Sequence, residues 1–324
     1  MWKKWLNDLR QALGLNSESS KPRKKRAQLS VETLEDRRVP AVLTVNSIAD
    51  DVTADDGLVT RREAIAAAND DAQTDLGDQA SGADTIVFDA DVFGTPQTIN
   101  LGEQLSITSE LTIQGTGSDQ LTIDAQQNSR SFLVSSDGIS TISGLTITNG
   151  ASGNGGGIRN EGTLTVQDSI ITRNVVSGSN AGNDGGAIFN SGSLTVERST
   201  LSDNQVTGRF GDGGAIEGRP NSVTVIREST LSGNFAKDDG GAIETYGQLT
   251  IIDSTISGNT AEDGGGGVRL SATGGRNATV EIVNTTISGN QGGSGGGFQI
   301  SNPGNSLALR NSTITGNISG GGGG

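Results

Sequence analysis

Gly185-Gly-Ala-Ile-Phe-Asn190, Ser193-Leu-Thr-Val-Glu197 and Ser199-Thr-Leu-Ser-Asp-Asn204 are three short segments separated by residues that favour turns. Their alternation predicts three strands, with Ile188, Leu194, Val196 and Leu201 facing inward and Thr195, Thr200 and Ser202 facing outward. The same phrase returns on both sides. A hydrophobic residue between hydroxyls closes on Asn149, Asn174, Asn204, Asn234, Asn259, Asn290 and Asn317, at spacings of 25, 30, 30, 25, 31 and 27 residues. Three strands in such a period fit an all-β, right-handed parallel β-helix, whereas a propeller blade needs four strands and ~40 residues or more.

Aligning the phrases predicts three inward columns. Ile158, Ile188, Ile216, Ile243, Val268 and Phe298 form the first, on the strand that follows each Gly pair. Leu164, Leu194, Val223, Leu249, Val280 and Leu307 form the second, and Ile171, Leu201, Leu231, Ile256, Ile287 and Ile314 the third. Burying one such side chain stabilises by roughly 1.5–3 kcal/mol. The glycines supply positive φ or close backbone approach at a sharp corner, and the asparagines are expected to form an amide ladder along another. Upstream, Leu105, Ile107, Leu111, Ile113, Leu121, Ile123 and Phe132 predict less regular coils.

Composition agrees with a thin stacked core. The 324 residues include 50 Gly, with 3% aromatic and 31% hydrophobic residues, too few apolar groups for an ordinary core of this size. The net charge of −14 is uneven: residues 1–40 carry ten Lys/Arg and five Asp/Glu, and the remainder carries 13 − 32 = −19. With Lys237 its only lysine, that acidic body is unsuited to nucleic acid. No Cys and no His occur, which removes disulfides, thiolate sites, ordinary zinc sites and histidine acid/base chemistry.

Three regions follow from the text of the chain. Residues 1–41 form a basic leader in which Trp2, Trp5, Leu6, Leu9 and Leu13 lie at helical spacing, giving a short amphipathic helix suited to an anionic membrane surface or left in water. A Lys/Arg-rich stretch, Lys21 to Arg26, is expected to be disordered. No apolar run reaches the length of a secretory core or a membrane span. Residues 42–97 are expected to cap the helix, with a strand at Val42–Val45, a capping box of Thr60 and Glu63, and a helix through Ala64–Ala68 ending near Asn69. Residues 98–324 form the β-helix and stop in mid-repeat at Gly320–Gly324, which leaves an uncapped edge open to self-association.

Leu34-Glu-Asp-Arg37 and Pro40-Ala41, after the basic run, resemble the N-terminal motif of planctomycete-type secreted and surface proteins, which implies export. Arg62-Glu-Ala-Ile65, followed by Asp84–Phe88 and Thr98–Leu101, is similar to the CSLREA domain, although Val59-Thr60-Arg61 depart from its Cys-Ser-Leu. The Gly-Gly-Ala-Ile and Asn phrases resemble the repeats of polymorphic outer-membrane proteins and autotransporter adhesins, of pectin-lyase-like fold. That resemblance implies a passenger-like, cell-surface role.

Candidate chemistry is sparse in the sequence. Asp184, Asp212, Asp239 and Asp263 each precede a Gly pair; either their loops hold them apart in water or their oxygens converge on Ca²⁺. Glu197 should lie over Arg227, and Arg198 over Glu228, as exposed complementary pairs. Pectate-lyase-like enzymes share the architecture, but no Arg or Lys stands out beside two or three Asp in neighbouring coils. No catalytic and no cofactor-binding residue is therefore assigned. The hydroxyl stripe Thr200/Ser202, Thr230/Ser232, Thr255/Ser257, Thr286/Ser288 and Thr313/Thr315 resembles the rows of ice-binding solenoids, and equally serves to keep a parallel strand soluble. The expected function is an extracellular or cell-surface, adhesin-like β-helix that binds polysaccharide or envelope surfaces without catalysis, with a polysaccharide lyase or hydrolase as the alternative.

Overall fold

The computed structural model describes residues 2–14, 40–178 and 182–321. The Lys/Arg-rich stretch, nearly all of the export-type motif and the last three glycines lie outside the described residues. Trp2–Ala12 forms a helix, α1, in a unit of its own, and Trp2, Trp5, Leu6, Leu9 and Leu13 are all exposed on it. No helix among the described residues is long and apolar enough to cross a membrane.

From residue 40 onward the chain is a parallel β-helix. A long sheet of ten strands starts at Val42–Val45 and Asp84–Phe88 and ends at Ser306–Arg310. Eight strands, from Leu105–Ile107 to Phe298–Ile300, the last six of them following the turn glycines, make a second sheet, and nine, from Gln97–Asn100 to Thr313–Thr315, a third. Each regular coil adds a fourth strand of two residues just after its asparagine, as at Val175–Val176 and Gln205–Val206, which alternation is too short to predict. One coil also carries a small antiparallel hairpin, Ala272–Thr273 with Arg276–Asn277, turned by Gly274 and Gly275 at positive φ.

The first and third columns stack in register as expected. The second needs one correction. Leu194 pairs with Thr224, not Val223; Val223 faces outward opposite Ser193, and Thr224 turns inward to accept a 3.0 Å hydrogen bond from Asn190 Nδ2. Val223-Thr-Val-Ile226 has β-branched residues in both phases, so alternation alone cannot choose between them.

Two polar ladders fix the corners. Asn174, Asn204, Asn234, Asn259 and Asn290 each donate from Nδ2 to the next coil's asparagine Oδ1, at 2.8–3.0 Å. Asn149 does not belong to this ladder. Gly150 occupies the rung, its N–H donating to Asn174 Oδ1, while Asn149 takes the left-handed position (φ 54°) that Gly233, Gly258 and Gly289 take in later coils. A second ladder, absent from the sequence reading, runs through Ser169, Ser199, Ser229, Ser254 and Thr285. Each hydroxyl donates to the carbonyl two residues before it, and the Ser199, Ser229, Ser254 and Thr285 hydroxyls accept the backbone N–H of the rung below.

The helix Arg61–Asp70, α2, packs against Val42–Val45, Asp84–Phe88 and Leu105–Ile107, and its Ala64, Ile65, Ala67 and Ala68 join the continuous core. Thr60 and Glu63 make the expected capping box, and Asp71 ends the helix in the left-handed conformation.

Candidate functional site

The outward position at the centre of the eight-stranded sheet reads, coil by coil, Arg159, Phe189, Glu217, Glu244, Arg269 and Gln299. Alternation places these side chains on the far side of the sheet from Ile188, Ile216 and Ile243. Exposed Glu217 and Glu244, directly opposite one another, would repel. They are instead fully buried. The turn ahead of each Gly pair folds over them and brings its aspartate down onto the sheet.

Asp184, Asp212 and Asp239 stand four residues ahead of Ile188, Ile216 and Ile243 and are stacked by their own backbone. The Asp184 N–H donates to Asn154 Oδ1 (3.3 Å), that of Asp212 to Asp184 Oδ1 (3.3 Å), and that of Asp239 to Asp212 Oδ1 (3.0 Å). These three are therefore held together, not spread into water. Asp263 is separated from them: an added glycine puts Gly264 in the rung, and Asp263 is exposed. A Cβ on Gly264 would run into the Asp239 carboxylate, so the bare glycine leaves that carboxylate its room.

The arginine and acid cluster that the sequence does not display is thus assembled by the fold. Arg219 Nη1 lies 3.6 Å from Glu217 Oε1 and 3.8 Å from Asp184 Oδ2. Arg269 pairs with Asp239 and approaches Glu244 Oε1 to 3.6 Å, while the Ser271 hydroxyl donates to Glu244 Oε1 at 2.5 Å. Carboxylate oxygens of Asp212, Asp239 and Glu244 lie within 4.8 Å of one another. Both oxygens of Glu217 are buried without a hydrogen-bond partner.

Electrostatics follow from burial in this acid-rich pocket. Burial, reinforced by the charge of Asp212, pushes Asp184 up to about 7, and burial takes Asp212 to about 6 against a hydrogen bond with Glu244 and the pull of Arg269 and Arg219. Glu217 and Glu244 rise well above the usual carboxylate range, first through burial and then through the neighbouring acids. Tyr246 is raised by burial and by Glu244 and Glu217.

Above the acids lies an alternation of cations and rings. Arg159 and Arg219 each stand 5.8 Å from the centre of the buried Phe189 ring, and Arg219 also lies 5.7 Å from that of Tyr246. Arg159, Arg219 and Tyr246 keep part of their surface in solvent. On the long sheet, Glu197 is in register with Arg227 as expected. Arg198, however, forms its ion pairs with Asp168 of the coil below (2.8 Å) and with Glu197 (2.7 Å). Asp168, Arg198 and Glu228 take the same left-handed corner position in successive coils (φ 49°, 45° and 49°), and the Arg198 side chain pairs downward with Asp168 and not with Glu228. The hydroxyl pairs Thr200/Ser202 to Thr286/Ser288 are in register and half-buried.

No protein-family model matches the chain, and a search of curated proteins returns no match.

Proposed function

We propose that this chain is an extracellular or cell-surface β-helix that binds a neutral polysaccharide along its eight-stranded sheet without cleaving it. The strip of Arg159, Phe189, Arg219 and Tyr246 over four successive coils carries the reading. Coils repeat at about 4.8 Å, and planar guanidinium and phenol groups held flat by stacking suit successive sugar rings and their hydroxyls. The acidic body disfavours a polyuronate. Glu217 and Glu244 are fully buried, beyond the hydrogen-bond reach that a general acid or base requires. The leader's likeness to planctomycete-type exported proteins, and the repeats' likeness to polymorphic outer-membrane proteins and adhesins, support an exterior location. Surface labelling of intact cells tests that part, and exclusively intracellular protein would defeat it. For binding, the purified chain should be retained on a neutral polysaccharide in a glycan array, and an Arg219→Ala/Tyr246→Ala double variant should lose at least tenfold in affinity. Retention on no glycan, or equal retention by the variant, would refute the reading.

A second reading, a polysaccharide lyase or hydrolase, is favoured by one observation: Asp184 and Asp212, at about 7 and about 6, are poised for proton transfer near neutral pH. Release of unsaturated or newly reducing oligosaccharides by the wild type, lost in Asp212→Asn, would establish it in place of simple binding.

A further inference from the structure

We propose that Asp212, Asp239 and Glu244, with the buried Glu217 beside them, form a Ca²⁺ site that joins two adjacent coils of the β-helix. Asp212 and Glu217 belong to one coil, Asp239 and Glu244 to the next. The first ground is geometric. Oxygens bound to Ca²⁺ at 2.3–2.6 Å lie no more than about 5 Å apart, and carboxylate oxygens of Asp212, Asp239 and Glu244 all lie within 4.8 Å of one another.

The second ground is independent of that spacing. Glu217 is fully buried beside these acids, and neither of its oxygens has a hydrogen-bond partner. Arg219 and Arg269 approach the Glu217 and Glu244 carboxylates only to 3.6 Å, too far for hydrogen bonds. Buried carboxyl oxygens left without partners are costly, and a hard cation is a partner that satisfies several at once. Arg269, which holds Asp239, is partly exposed and its Nε is unpartnered, so it can release that oxygen by swinging towards solvent. Water would complete the shell. The site does not depend on polysaccharide binding.

The chain contains its own reporter. Tyr246, its single tyrosine, has Glu244, Glu217 and Asp212 as its charged neighbours. Tb³⁺, a stand-in for Ca²⁺, would be sensitised by tyrosine excitation, with Trp2 and Trp5 replaced by Phe to remove the other donors. Metal-stripped protein should show a several-fold rise in Tb³⁺ emission that Ca²⁺ reverses, absent from Tyr246→Phe and from Asp212→Asn/Glu244→Gln. In parallel, millimolar Ca²⁺ should raise the thermal midpoint of the wild type and of Asp263→Asn, but not of the double variant. Should the double variant fail to fold by circular dichroism, Asp239→Asn, at the more exposed rim, takes its place. Emission no greater than in Tyr246→Phe, a wild-type midpoint unmoved by Ca²⁺, or a shift that survives in the variants would each overturn the proposal.

Discussion

Asn234 shows what one ladder residue contributes. Its Nδ2 donates to Leu201 O, Ser232 O and Asn259 Oδ1, and its Oδ1 accepts both the backbone N–H and the amide of Asn204. Truncation strands several buried polar groups at ~1–3 kcal/mol each, so Asn234→Ala should lower unfolding stability by at least about 3 kcal/mol in a urea titration. Asn149→Ala should cost only about 1–2 kcal/mol, because that side chain occupies a left-handed position and one partner, Asp124, beside the ladder. Equal losses at the two positions would contradict the assignment of rungs. The sequence writes both asparagines in the same phrase, since a one-residue offset between rung and turn leaves hydrophobic spacing unchanged. The same limit explains Val223 and Thr224. Strands with a single aliphatic phase, such as those of Leu201 to Ile314, were legible because only one phase could be buried. Glu217 and Glu244 left a signal: they interrupt an outward column otherwise made of Arg, Phe and Gln, at paired positions. What could not be read was their burial, which depends on a turn folding back over the sheet.

At the scale of elements, α2 is tied to the first coils through Asp50. Its carboxylate receives Arg61 Nη2 at 2.6 Å, Arg62 Nε and Nη2 at 2.8 and 2.9 Å, and the Gly102 N–H at 2.7 Å. Burial pushes the Asp50 pKa up, but the Arg62 hydrogen bonds, the Gly102 N–H and the two guanidinium charges together hold it below the ordinary value. Asp50→Asn should destabilise by about 3–5 kcal/mol at neutral pH, because it leaves the buried Arg61 charge without its partner. The sign of the pH effect follows from the lowered pKa. The stabilisation is complete above the unfolded value of ~3.9 and disappears as pH falls through the lower folded value. The gap between wild type and Asp50→Asn should therefore stay constant from pH 7 to about 4.5 and close only in stronger acid. A gap that closes near pH 6 would assign the stabilisation to some other group. The capping box of this helix was readable from Thr60 and Glu63, because its chemistry is local. The Asp50 clamp was not, since it joins Asp50 to residues up to 52 positions away.

Across the whole molecule, each coil is stabilised by its neighbours, so stability should depend on position along the stack. At the α2 end, Leu43, Val45 and Ile86 are completely buried. In the coil that holds Ser306–Arg310 and Thr313–Thr315, by contrast, Leu309 and Ile314 are each 42% exposed and Ile318 is 61% exposed. Ile256 and Ile314 occupy the same column and differ only in what covers them. Ile256→Ala should cost about 2–5 kcal/mol by removing packed atoms and leaving a cavity, whereas Ile314→Ala, already half in water, should cost under about 1.5 kcal/mol. Hydrogen exchange should show the same gradient without any substitution. Amides of the 298–319 coil should exchange by local opening, well before those of the coils around Leu201 and Leu231, whose ladders and columns are closed on both sides. Uniform protection along the stack would mean that the coils open as one unit, and the two isoleucine substitutions would then differ in cavity cost alone, with no difference in local opening.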